Sequence, residues 1–143
     1  MEFLQPFVGE WEVEVTFPGQ PPAGAGARTT FEFMPGERFL VQRWEVPIPE
    51  APDGIAIIGI ADGDDRLLQH YFDTRGVARV YEMSFAGGVW KLSRNTADFS
   101  PLPFSQRFEG TFSEDGRRID GAWEICHDGE TWEHDFGMTY SRG

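Results

Sequence analysis

The stretch from Thr131 to Arg142, TWEHDFGMTYSR, constrains the chain more than any other. Read with a period of two, Trp132, His134, Phe136, Met138 and Tyr140 share one face. Thr131, Glu133, Asp135, Gly137, Thr139 and Ser141 share the other. A helix, turning every 3.6 residues or so, would mix these two sets, whereas a strand points successive side chains to opposite faces. The pattern predicts a half-buried strand, apolar side inward. Trp11 to Phe17 alternates as strictly, with Trp11, Val13, Val15 and Phe17 against Glu12, Glu14 and Thr16.

The chain between these two segments reads as more strands. After a lead-in over Glu2 to Gly9, one helical turn interrupted by Pro6, and the strand Trp11 to Phe17, the Pro/Gly-rich segment Pro18 to Ala27 reads as a loop. Strands are then expected at Arg28 to Met34, Arg38 to Val46, Ile55 to Ala61, Leu67 to Asp73, Val77 to Phe85 and Val89 to Arg94. Asn95 to Leu102 is an irregular crossing, followed by strands at Phe104 to Ser113 and Arg118 to Cys126 and by the closing strand. Pro35-Gly36, Thr74-Arg75-Gly76, Gly87-Gly88, Glu114-Asp115-Gly116 and His127-Asp128-Gly129 supply short turns. The prediction is an all-β chain of about ten antiparallel strands in one domain over residues 1–143. A meander must dispose of its two edges. The first and last strands have the cleanest alternation, and closing them on each other gives an up-and-down β-barrel with room inside for a ligand. A flat sandwich is the alternative.

Charge narrows the function. Twelve basic residues against twenty-four acidic ones leave a net charge of -12, which argues against nucleic acid and against an anionic membrane surface as partners. The single cysteine, Cys126, excludes an internal disulfide. With neither a signal-peptide pattern nor a long apolar run, the expectation is a soluble cytoplasmic protein. No nucleophile elbow, phosphate loop, dinucleotide fingerprint or metal spacing appears, so a catalytic role is not expected.

Two middle strands break the apolar-in pattern. If their larger residues face inward, Gln42, Arg79 and Tyr81 enter the barrel with Gln106 and His134. A core built for stability alone would exclude them, because an unpaired buried polar group costs about 1–3 kcal/mol. A mostly apolar interior with a few convergent polar groups suits a small hydrophobic or amphipathic molecule. The expected lining is Trp11, Gln42, Trp44, Arg79, Tyr81, Gln106, Trp123, His134 and Tyr140, with Arg79 and His134 as the polar anchor. Arg79 and Tyr81 share a face and carry donors suited to a carboxylate; the competing reading is an outward arginine paired with surface acids. His134 reads either as a ligand-contacting group or as a core histidine satisfied by its neighbours. His70, beside Leu68 and Phe72, reads as packing, and His127 as a solvated turn residue. Asp62-Gly63-Asp64-Asp65 lacks the spacing of a calcium loop and reads as a turn. Glu10, Glu12 and Glu14 read as a solvated wall, and Cys126 as an outward strand residue. Trp90 and Leu92, if outward, would give an apolar patch suited to a homodimer.

Gly9-Glu10-Trp11 at the start of the first strand resembles the Gly-x-Trp signature of the calycin superfamily, which holds lipocalins, fatty-acid-binding proteins and the haem-binding nitrobindins. The segments YFDTRGVARVYEMSF and WEHDFGMTYSR are similar to uncharacterised bacterial lipocalin-like families of unknown function. The resemblance implies a lipocalin-like barrel and an arginine stacked over the motif tryptophan, for which Arg142 stands in the right place. Pro18 to Ala27 cannot supply the helical lid of a fatty-acid-binding protein. Nitrobindins ligate haem iron through a histidine near the C-terminus. The resemblance therefore implies a second function, haem binding with His134 on iron, although Val13 and Val15 stand where nitrobindins carry glycines. A barrel packed solid and acting through its surface is the third.

Overall fold

In the computed structural model the chain forms a closed barrel of ten antiparallel strands, each paired with its neighbours in sequence and the last paired with the first. The structure describes residues 1–49, 51–61, 63, 65–98 and 101–143, with 24 and 25 as backbone alone. The strands are β1 (Gly9–Thr16), β2 (Ala23–Phe33), β3 (Leu40–Glu45), β4 (Gly54–Ile60), β5 (Leu67–Asp73), β6 (Ala78–Ala86), β7 (Val89–Arg94), β8 (Ser105–Phe112), β9 (Arg118–Cys126) and β10 (Glu133–Ser141). Closure runs through Val13 opposite Tyr140 and Val15 opposite Met138, so the two best-alternating segments do satisfy each other's edges. The sandwich alternative is excluded.

Many strand ends lie a residue or two from expectation, and two segments near the N-terminus differ by more or in kind. The segment from Pro18 to Ala27 is a loop only as far as Pro22: β2 starts at Ala23, which pairs with Val15 across an irregularity. Small residues are poor strand formers by themselves, but a ready partner strand supplies the hydrogen bonds that propensity does not. The lead-in is a 3-10 helix over Glu2–Phe7 that contains Pro6.

That helix plugs one end. Leu4 and Phe7 are fully buried, and the Phe7 ring lies 4.8–5.2 Å from Phe31, Phe85, Trp90 and Phe112. Arg142 stacks on Trp11 at 3.9 Å, as the Gly-x-Trp resemblance implies. Its guanidinium also donates to the carbonyls of Val8 (2.8 Å), Pro6 (2.8 Å) and Gly116 (3.1 Å). The Trp11 indole N–H donates to the Phe7 carbonyl at 2.9 Å. The C-terminus thus fastens the N-terminal helix onto the barrel.

Trp90 and Leu92 correct an expectation. They are 1% and 3% exposed and face inward, with Trp90 against Phe7, Phe108 and Tyr140. They therefore form no outer apolar patch of the kind on which a homodimer was expected. Cys126 is likewise buried, its thiol 3.6 Å from the Asp128 carboxylate. The acidic run at 62–65 falls largely on Asp62 and Asp64, which lie outside the described residues. No helix among the described residues is long and apolar enough to cross a membrane.

Candidate functional site

Exposure rises along the inner wall from one end of the barrel to the other. At the plugged end Trp11, Leu40, Ile58 and Ile119 are fully buried and Phe31, Trp90 and Phe108 nearly so. At the other end the inward residues Trp44, Tyr71, Arg79, Gln106, Trp123 and Phe136 are only half-buried. The interior is therefore packed solid below and reached by solvent above. The boundary is a polar layer. Gln69 donates to Gln42 at 3.2 Å, Gln42 to the Thr29 hydroxyl at 3.1 Å, and Thr29 to the Arg43 carbonyl at 3.0 Å. This chain satisfies its own members, as buried amides must be satisfied.

Above it stands a belt of rings. Trp44 stacks on Tyr71 (5.2 Å, 28°), Tyr71 meets Tyr81 edge-on at 6.1 Å, and Tyr81 meets Trp123 at 5.5 Å. Trp123 lies 6.4 Å from Phe136, which lies 5.6 Å from Phe17 at the rim. Gly54 makes room for the first of these: a Cβ there would run into the Trp44 ring and, at 2.6 Å, the Phe72 carbonyl.

Asp73, Arg94 and Arg79 face this upper half. Asp73 accepts from Tyr71 at 2.6 Å and from Arg75 at 2.7 Å. Burial alone would raise its pKa, but the hydrogen bonds from Arg75 and Tyr71 outweigh it and hold the carboxyl below the usual range. Burial, reinforced by Asp73, pushes the Tyr71 phenol well up. Arg94, inward on β7 and 2% exposed, pairs with Asp98 at 2.9 Å and donates to the Pro101 carbonyl. Asp98 also accepts the Val80 backbone N–H at 2.7 Å, so this pair ties the β7–β8 connection to β6.

Arg79 differs. Among the described residues no carboxylate pairs with it. Its Nε is buried without a hydrogen-bond partner. Its Nη1 reaches Gln106 Oε1 only at 3.4 Å, and Phe104 lies 5.8 Å away across its face. Gln106 Oε1 also accepts the Tyr81 hydroxyl at 3.0 Å. Burial raises the Tyr81 pKa and the neighbouring Arg79 and Arg94 charges oppose it. Arg79, Tyr81 and Gln106 thus form one donor-rich corner with an unmatched positive charge.

The nine residues expected to line the interior divide into three groups. Trp44, Arg79, Tyr81, Gln106 and Trp123 surround the open half, and Gln42 lies in its floor. Trp11 and Tyr140 face inward but belong to the packed end; burial pushes the Tyr140 phenol up, and its hydroxyl lies 3.7 Å from the Met138 sulfur.

His134 is a correction. It is exposed and stands opposite Glu124 of β9, while Phe136 stands opposite Trp123. Two steps separate His134 from Phe136 but only one separates Glu124 from Trp123, so Asp135 is an extra residue. This β-bulge inverts the alternation. Phe136, Met138 and Tyr140 stay inward, whereas His134 and Trp132 turn outward, and Trp132 packs under the outer-wall Arg107 at 4.1 Å. His70 lies on the outer face opposite Ile57 and Val80. His127 is an exposed rim residue 5.7 Å from Phe104. None of the three histidines lines the interior, and the inward Val13 is buried, so these residues do not fit a histidine-ligated haem. Among the described residues no cluster of His, Cys, Asp or Glu is arranged to hold a metal ion.

Gln69, Tyr71, Asp73 and Arg94 were missed by sequence reasoning. The signal for the first three was the face Leu67, Gln69, Tyr71, Asp73, as regular as that of Leu68, His70 and Phe72. Grooves also lie outside the interior. One of about 420 Å³ flanks the rim beside Trp44, Gly54 and Asp73. Another of about 510 Å³ runs over the outside of β6–β9, where Lys91–Glu109 (3.5 Å) and Arg107–Glu124 (2.8 Å) pair with each other. Its charges are already matched.

The chain resembles a solved structure described as the crystal structure of Rv2717c from M. tuberculosis, with a TM-score of 0.60 at 13% identity over 100% of this chain and 98% of that one. A likeness at that identity speaks to the barrel fold alone. No protein-family model matches the chain, and no curated protein matches it.

Proposed function

We propose that this protein is a lipocalin-like binding barrel of the calycin type that holds a small amphipathic molecule in the open half of its interior. The observation that carries the reading is Arg79, a cation on an aromatic-walled interior with a buried, unpartnered Nε and no carboxylate of its own among the described residues. An unpaired polar group so placed costs stability and serves a molecule that completes it. The ring belt supplies apolar walls, and Tyr81 and Gln106 orient the polar end. His134 has no part in this site, so the haem alternative loses its ligand. The packed-barrel alternative fits only the plugged half.

Nile red, an uncharged dye that brightens in apolar surroundings, tests the reading. Saturable brightening is expected, weakened roughly tenfold in Trp44→Ala and in Trp123→Ala and unchanged in His134→Ala. No saturable signal, or equal signals in all variants, overturns it.

A further inference from the structure

We infer that the natural ligand is a compact, flat aromatic molecule carrying one negative charge, an aryl carboxylate or its equivalent, and not a long-chain lipid; this rests on the open half of the barrel being the binding site. Three observations converge.

The first is charge. The inner wall carries Arg79 and the Arg94–Asp98 pair, and the rim carries the Asp73–Arg75 pair and the exposed Glu133, which stands opposite Ile125. Asp98 and Asp73 each have a guanidinium already. Arg79 is left without a carboxylate partner among the described residues. The phenol of Tyr81 and the amide of Gln106 stand beside the guanidinium, so an oxyanion seated there finds further donors.

The second is depth. The Gln42–Gln69–Thr29 chain crosses the inner wall from β2 to β5, and beneath it Leu40, Ile58, Phe108 and Ile119 are buried in the core. From Gln42 and Gln69 to the ends of β3 and β5 the wall rises three to four residues, or roughly 10–13 Å along a tilted strand. A long alkyl chain with its acid on Arg79 would have to break the amide chain or project into water.

The third is shape. The walls are ring faces and edges: the Trp44–Tyr71 stack, the edge-on Tyr81–Trp123 contact and Phe136. Such walls take a flat ring by offset or edge contacts, and an alkyl chain gains nothing from their geometry.

Calorimetric titration of the whole protein with naphthoate, naphthalenemethanol and palmitate tests the inference. Naphthoate should saturate one site. Naphthalenemethanol, the same ring system without the charge, should bind about tenfold or more weakly, the size expected for hydrogen bonds to a charged group. Palmitate should give no saturable heat, and Arg79→Gln should reduce naphthoate to the level of the alcohol. Palmitate binding as tightly as naphthoate, or acid and alcohol binding alike to the wild type, overturns the inference, as does failure of both aromatics while Nile red still binds. In each of these cases the broader reading stands. Failure of all four compounds removes both. The wild-type comparison decides even if Arg79→Gln does not fold.

Discussion

Arg79 sits where a chain selected only for stability would not keep an arginine. Its aliphatic stem leads to a guanidinium whose buried Nε has no hydrogen-bond partner. Arg79→Met keeps that stem and removes the unmatched charge. The variant should be more stable than the wild type by about 1 kcal/mol, a rise of roughly 2–4 °C in Tm, while losing preference for anionic ligands. Calorimetric melting checks this, and a lower Tm would mean that Arg79 is structural. Parity along two strands, β6 and β8, was enough to pick Arg79, Tyr81 and Gln106 from the sequence. It was not enough to show which arginine is matched: Arg94 carries the same charge on the same wall, and only the fold brings Asp98 to it.

At the scale of the element, β10 holds the clearest lesson. Its sequence alternates without a break, yet its partner strand advances one residue while it advances two, and everything before Phe136 changes face. Alternation records which side chains could share a face; hydrogen-bond register decides which do. Asp135 is the inserted residue, so its deletion should remove the bulge, leave His134 opposite Glu124 and facing out, and preserve Nile red binding. Loss of binding on deletion would show that the bulge itself shapes the site. The turn before the bulge is pinned by Asp128, whose carboxylate accepts the backbone N–H groups of Thr131 (2.7 Å) and Glu130 (2.8 Å). Those bonds lower its pKa to about 2. A carboxyl with a depressed folded pKa stabilises the fold fully above its ordinary value near 4, and the contribution disappears as pH falls through the folded value. The amide resonances of Glu130 and Thr131 should therefore hold steady down to about pH 3 and move with a midpoint at about pH 2. Asp128→Asn should remove that transition.

At the scale of the molecule, the barrel depends on a closure made by its two ends. Arg142 joins the last strand to the helix at the first through two carbonyls and to the β8–β9 turn through a third, and it covers Trp11. Arg142→Ala should cost about 2–3 kcal/mol, because the charged hydrogen bonds and the cation–π stacking on Trp11 disappear together. The N-terminal helix should exchange its amide hydrogens faster than the strands do. An unchanged melting curve would show that the ring packing around Phe7 holds the plug without help. The sequence by itself determined the strand count, the antiparallel meander, the closure and most of the inward faces, because these follow from a period of two and from turn residues a few positions apart. Only the tertiary structure decided that half of the interior is filled, that Trp90 and Leu92 are core, that His134 faces out and that Arg79 has no carboxylate partner among the described residues. Those depend on register across strands and on packing between residues far apart in the chain, which no local pattern records.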